Sequence, residues 1–302
     1  EKINDDPIKI DVKNINPYLV EGQNIVLKKR NTQMSNYPKM IFGSMPNDNG
    51  NLLVSDEDLK NLTKEFENND IMKFIKPFVG AREFINNKNK WCVWLHDEKS
   101  DWRSNKYLKK IIEKVYEHRI NSKRPATKKL AETPWLFGEI RHPYKDYILI
   151  PRVSSENREY IPIGYLTKDK IAGDSCLLIP TNNLAIFTIL NSSIHMTWVQ
   201  HVCGRLEDRY RYSIEIVYNN FPFKKITREQ EKLLCDYGKE ILDVRKKTNL
   251  SLEKLYDKIL MPQDLRQIHQ KIDKYVKELY LINDSASDSE IMSKLFSLLK
   301  NP

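Results

Sequence analysis

Between Asn183 and Val202 the chain carries its most apolar stretch, and that stretch demands an interior. Leu184, Phe187, Leu190, Ile194 and Trp198 recur at steps of three and four residues, and Ile186 and Ile189 widen the stripe. Apolar residues at that period on so broad a face predict a helix from 183 to about 202, packed inside the protein. A chain of 302 residues has ample material to surround such a helix. The segment that follows is its opposite in character. Cys203–Phe223 gathers Arg205, Arg209 and Arg211 around Tyr210 and Tyr212, with Glu207 two residues before Arg209. A buried helix gives these side chains a rigid base on which to be held in register.

The residue types in that segment carry a specific chemistry. An Arg guanidinium can donate two parallel hydrogen bonds to guanine O6 and N7, and a Glu carboxylate can accept from the cytosine N4 amino group. Side chains two apart on an extended stretch point the same way, which would let Glu207 and Arg209 read both halves of one G·C pair. The same two residues also suit a structural ion pair in a turn. Spacing alone leaves both readings open.

Charge and composition narrow the classes. Lys+Arg 50 against Asp+Glu 41 gives a net charge of +9 and a sequence pI near 9.1, which favours an anionic partner. Cys92, Cys176, Cys203 and Cys235 are spread without a C-x-x-C pair, so zinc and a dense disulfide framework are not expected, and reduced thiols in the cytoplasm are. No run of 18 apolar residues predicts a membrane span, and no signal peptide opens the chain. It starts at Glu1 in a charged stretch, as expected of a fragment. No glycine-rich cradle for a dinucleotide or nucleoside triphosphate is present.

Asn16-Pro17-Tyr18 resembles the Asn-Pro-Pro-aromatic motif of amino-methyltransferases but lacks its second proline, and no catalytic residue is assigned from it. Asp6 with Asp11-Val12-Lys13 has the acids of a metal nuclease, on flanks too polar and a spacing too short for two core strands. His96, His118, His142, His195, His201 and His269 are scattered and read as surface or core residues, not a catalytic grouping.

The chain divides into three by pattern. Residues 1–22 are polar and aperiodic and read as a linker. From 23 to 225, strand-like runs (Ile25–Lys29, Lys39–Phe42, Trp91–Leu95, Tyr147–Ile150, Cys176–Ile179, Ser213–Tyr218) mix with helices expected from Ser55 to about Glu67 and from Asp101 to about Arg119. Pro77–Gly80 reads as a turn. Trp91, Trp94 and Trp135 read as core residues. Lys123, Arg124, Lys128 and Lys129 form a basic cluster that suits phosphate contact or a solvated helix face. Residues 226–302 read as helical, opening with the capping signature Thr227-x-x-Gln230 and running at about 228–246, 251–259, 263–282 and 288–299. Leu265, Ile268, Ile272, Val276 and Leu279 line one seam, as expected of a bundle core.

Several blocks, taken together and in order, resemble the C-terminal part of the MmeI-like single-chain restriction–modification enzymes. They are Ile15–Gly22, Ile41–Asp48, Pro77–Ile85, Ser122–Leu130, Pro151–Ser155, Tyr160–Gly164 and the run from His195 to Phe223. The resemblance covers about residue 12 to about residue 280. It implies an α/β (mixed α+β) target-recognition domain followed by a C-terminal helical region. The methyltransferase core would precede it on the same parent polypeptide. In such parents S-adenosylmethionine methylates adenine N6, with magnesium for cleavage where an endonuclease domain is present. The implied partner is double-stranded DNA, with no membrane.

By position, the resemblance implies that Glu207 and Arg209 read one base pair, the Lys/Asp combination occurring in relatives of opposite preference. It implies that Arg211 and Ser175 read a neighbouring pair, a phosphate or structural role for Arg211 staying open. Arg205 and Tyr212 are assigned, with the Lys123–Lys129 cluster, to the DNA backbone. Two rivals remain: a protein-interaction module whose basicity is incidental, and a metal-dependent nuclease using the N-terminal acids.

Overall fold

A computed structural model describes residues 11–22, 24–34, 36–65, 70–97 and 102–299; Asp6 lies outside them. The apolar stretch is indeed interior, but it is two helices, Leu184–Leu190 and Ser193–Val202. Asn191 ends the first, and the Ser192 side chain accepts from the amide of His195 to start the second. Asn and Ser side chains replace the backbone partners that a helix end lacks, which is why an apolar period can continue across a break it does not reveal. Phe187, Ile194 and Trp198 are fully buried.

Against these helices lies a four-stranded antiparallel sheet. Its centre pairs Tyr147–Pro151 with Cys176–Pro180, and its edges are Ile41–Phe42 and Gly164–Leu166. The two central strands are apolar throughout because both faces are covered. Ile148, Ile150, Leu177 and Ile179 join the cluster around the helices. Tyr147, Leu149, Cys176 and Leu178 face the other way into a smaller cluster.

A second sheet orders Leu53–Val54, Trp91–Val93, Ile75–Val79 and Ile171–Ala172, the last pair parallel. The helix Lys106–Ile120 covers it with Leu108, Ile111, Ile112 and Val115. Trp94 is buried there, and Trp91 and Trp135 are half-buried against the same cluster.

Three further expectations between residues 23 and 225 fail. Pro77–Gly80 is no turn: Pro77 lies inside the strand Ile75–Val79, opposite Trp91. Ile25–Lys29 is extended without a ladder, its groups taken instead by the Tyr18 hydroxyl, which accepts from Leu27 N, and by Asn220 Nδ2, which donates to Lys28 O. Ser213–Tyr218 alternates like a strand but winds into a π-helical turn, Ile214–Tyr218, whose carbonyls at Glu215 and Ile216 accept from Asn220 Nδ2.

The C-terminal helices are Arg228–Lys246, Leu252–Leu255, Gln263–Tyr280 and Asp288–Leu298. The Thr227–Gln230 capping box forms in full. The run expected at 251–259 shrinks to one turn before the chain bends at Asp257. The seam residues Leu265, Ile268, Ile272 and Val276 are buried in the same cluster as Phe187 and Trp198, with Leu279 packed at its edge. One core therefore serves both parts of the chain.

The break at Asn191–Ser193 is where the two parts lock. His269 contacts Asn191 O through Nδ1 at 3.0 Å and the Tyr256 hydroxyl through Nε2 at 2.9 Å. Arg245 donates to Asn191 Oδ1 at 3.1 Å. Asp273 accepts from Ser193 N and from the Tyr160 hydroxyl, each at 2.6 Å. The backbone groups freed by the broken helix are thus satisfied from the C-terminal side.

Burial shifts these groups, with a consequence for acid stability. It holds His269, and likewise His195, down to about 3. The unfolded chain protonates both near pH 6.5, so their contribution is full above that pH and falls by roughly 1.4 kcal/mol per unit for each as pH drops. Burial raises Asp273 to about 6, which has the opposite sign: its contribution is present at low pH and is lost as pH rises through 6. Between about pH 6 and pH 4 these three groups sum to a net loss of roughly 1.4 kcal/mol per unit, and His142, which burial also holds below its usual value, adds to the loss. Urea unfolding across that range is expected to show it, and His269→Gln should make the slope shallower by roughly 1.4 kcal/mol per pH unit. An unchanged slope in that variant would remove His269 from the balance.

Candidate nucleic-acid interface

The Arg/Tyr segment is a β-hairpin. Gly204–Leu206 and Arg209–Arg211 pair through a two-residue turn at Glu207–Asp208, and Val153–Ser154 adds a third strand. Glu207 is therefore at the turn and not on an extended stretch, which corrects the alternation argument. Its φ is 56°. Tight hairpin turns need a left-handed first residue, a role for glycine, and holding a larger residue there costs roughly 1–2 kcal/mol. The turn folds the carboxylate back so that Arg209 Nη2 donates to Glu207 Oε2 at 2.6 Å. Both side chains face solvent, 77% exposed for Glu207 and 45% for Arg209.

The returning strand alternates, with Tyr210 buried and Arg209 and Arg211 outward on one face. Arg205 lies 3.9 Å over the Tyr210 ring and donates to Asp208 O at 2.9 Å and Gln200 O at 3.3 Å. It braces the hairpin, so its assignment to a phosphate competes with contacts it already makes. Tyr212 does not fit its assignment. It is 3% exposed, its hydroxyl bonded to His195 Nε2 at 3.0 Å, and it supports the hairpin from below.

The structure brings Ser175 and Arg211 to one surface. Arg152 N donates to Ser175 O at 3.0 Å, and Arg152 O accepts from Tyr212 N at 2.8 Å. One strand thus separates Ser175 from the Arg211 strand, a span of roughly 10 Å. Ser175 is exposed, its Oγ accepting from Ala81 N at 2.9 Å. Arg152 itself was not legible as a surface residue. Its Nη1 donates to Asp174 O at 3.1 Å, and its guanidinium lies 5.0 Å over Phe42. Only strand register reveals this neighbourhood.

Lys123, Arg124, Lys128 and Lys129 are all exposed around the short helix Pro125–Lys129. They are not brought to the hairpin: they sit on the layer that covers the second sheet. Arg119 holds that layer. Fully buried, it donates to five carbonyls, those of Asn47, Leu130, Thr133, Pro46 and Leu136. Burial lowers its pKa and the nearby Asp48 carboxylate raises it.

Asn16 is buried, and its side-chain oxygen accepts from Tyr18 N at 2.9 Å, a local turn. Among the described residues no group of three or more His, Cys, Asp or Glu is placed to hold a metal ion.

Comparison with known proteins gives this surface its context. The family MmeI, target recognition domain, matches residues 21–225, and MmeI, C-terminal domain, matches residues 226–301. The chain is 36% identical over 294 residues to DNA methyltransferase A of Bacillus subtilis (strain 168), covering 97% of this chain and 33% of that protein. It is also similar to the solved type IIL restriction–modification enzyme MmeI in complex with DNA, at 38% identity and a TM-score of 0.90, covering 100% of this chain and 40% of that one. The chain thus spans a third of the curated relative and two fifths of the solved one. A hairpin of exposed Arg and Glu on a core shared with the C-terminal helices is, in this chain, the work of a member of the MmeI family, comprising its target recognition domain and its C-terminal domain.

Proposed function

We propose that this chain is the sequence-reading part of a restriction–modification enzyme that methylates adenine N6, and that it reads duplex DNA with the hairpin face. The observation that carries this is Glu207, an acid kept at a turn position suited to glycine and aimed at Arg209. Strained non-glycine positions concentrate at functional sites, whereas an exposed ion pair by itself adds at most about 1 kcal/mol. The pair is also cheap to open. Arg209 can exchange the carboxylate for guanine O6 and N7 while Glu207 turns to the cytosine N4 amino group.

Arg211 and Ser175 would address the adjacent base pair, and Lys123, Arg124, Lys128 and Lys129 the phosphates. S-adenosylmethionine, and magnesium for any cleavage, would belong to the parent polypeptide beyond this chain. Among the described residues no helix is long and apolar enough to cross a membrane, and a protein that reads genomic DNA belongs in the cytoplasm.

Titrating a labelled duplex with the chain at increasing salt tests this reading. Each phosphate contact contributes about −0.9 to the log–log slope, so Lys128→Ala with Lys129→Ala should lower affinity for all sequences and make the slope shallower by about 1.8. Loss confined to one site would make them base readers instead. Binding without salt dependence or site preference would favour the protein-interaction module.

A further inference from the structure

Beyond the helix Leu252–Leu255 the chain turns out into solvent, and its tip is apolar. Ile259 is 89% exposed and Leu260 60% exposed. Loop tips normally carry Gly, Asn, Asp or Ser, and two adjacent branched aliphatic side chains in water are unfavourable unless they meet something. The backbone beneath them is nonetheless pinned. Asp257 Oδ1 accepts from the amides of Ile259 at 2.9 Å and Leu260 at 3.0 Å. Arg266 Nη2 donates to Lys258 O at 3.0 Å, and Met261 is buried as the anchor behind the tip. The two side chains are displayed on a fixed support.

The hydrogen-bond pattern says where they are displayed. Lys258 N donates to Asn157 O at 3.3 Å, and Arg158 pairs with Asp257. Arg158 Nη1 donates to Ser154 Oγ at 3.0 Å, and Ser154 stands opposite Tyr210 in the hairpin ladder. Those strands are antiparallel, so the chain leaving Ser154 runs toward the Glu207–Asp208 end of the hairpin. After the turn at 156–157, Asn157 and Arg158 hold the loop that carries the Ile259–Leu260 tip beside that end of the Val153–Ser154 strand. Lys254 and Lys258 are exposed beside the tip. Of the neighbouring acids, Asp257 accepts from the tip's own amides, Glu159 lies 3.7 Å from Arg266, and Glu156 and Glu253 lie in the field of the Arg158 guanidinium.

We propose that Ile259 and Leu260 form a wedge that enters duplex DNA at a base step next to the bases the hairpin reads. This rests on the DNA-reading role proposed above. Phosphates and base edges are polar, but the faces exposed between two unstacked bases are not, so an aliphatic tip matches a base face. Apolar side chains inserted at a step unstack it and bend the duplex, which brings more of the protein surface against DNA. Lys254 and Lys258 would hold the flanking phosphates.

The test uses the polypeptide that carries this chain, unsubstituted and as Ile259→Ser with Leu260→Ser. Each binds a duplex with its target site, with 2-aminopurine placed in turn at the steps around the site, and an end label reports binding by anisotropy. The unsubstituted protein should raise 2-aminopurine emission severalfold at one step outside the adenine to be methylated. The double variant should lose that rise while still binding, and Ile259→Leu with Leu260→Ile should retain it. Binding with no such step, or a rise that survives in the double variant, overturns the wedge alone and leaves the tip to a protein contact. Absence of duplex binding by the unsubstituted protein overturns the DNA-reading role and the wedge with it.

Discussion

Changing Glu207 to Lys and Arg209 to Asp together is expected to exchange G·C for C·G at one position of the recognition site. The double change reverses donor and acceptor across the pair, so the Lys ammonium donates where the carboxylate accepted, and the Asp accepts where the guanidinium donated. The ion pair at the turn is kept with its sign reversed, so the hairpin should fold as before. The single change Arg209→Ala should instead cost about 1–3 kcal/mol against the preferred pair and relax choice there alone. Mapping the methylated motif across a genome that expresses the double variant decides it. An unchanged motif would return Glu207 and Arg209 to the role of a turn-stabilising ion pair.

The largest loss of stability is expected at a residue that touches none of this. Arg119→Leu would remove a donor from five carbonyls in a site that excludes water; those of Pro46, Leu130 and Thr133 keep the amides of Gly138, Thr133 and Leu136, and those of Asn47 and Leu136 lose the guanidinium that satisfies them. Unsatisfied buried groups cost about 1–3 kcal/mol each, and with relaxation the total should be about 4 kcal/mol. At roughly 2–4 °C per kcal/mol for a chain of this size, the thermal midpoint should fall by about 10 °C. Arg119→Lys keeps the charge but not the planar fork that reaches five acceptors, and should recover only part of the loss. Calorimetry reads both, and a shift of under about 2 °C for Arg119→Leu would mean the loops at 46–47 and 130–136 hold without it.

Much of this was legible in the residues, and what was not has identifiable causes. The central strands Tyr147–Pro151 and Cys176–Pro180 announced themselves as unbroken apolar runs, and the Thr227 capping box as a local motif. Periodicity could not show the break at Asn191–Ser192, because the stripe resumes in phase on the second helix and the break is stabilised by His269 and Asp273 from far along the chain. It likewise mistook Ser213–Tyr218 for a strand, since a π-turn capped by Asn220 presents the same spacing of large residues. At the hairpin, chemistry singles out Glu207 and Arg209, and a turn rather than strand alternation brings them together. Tyr212 looked like a surface aromatic because nothing local marks its bond to His195. Arg119 and Arg152 have no sequence signal of their own; only tertiary register gives them a role.

The single core that runs from the Leu184–Leu190 helix to the Gln263–Tyr280 seam has a consequence for how such proteins can be recombined. The two family domains meet at 225 and 226, yet a crossover there would separate Asn191 from His269 and Ser193 from Asp273, stranding buried polar groups on both sides. Exchange of whole domains between relatives is therefore penalised unless both halves travel together. The outward hairpin positions carry no such debt to the interior. If the hairpin reads DNA as proposed, new specificity in this lineage should arise by drift at Glu207, Arg209 and Arg211, one base pair at a time, while the scaffold is inherited intact.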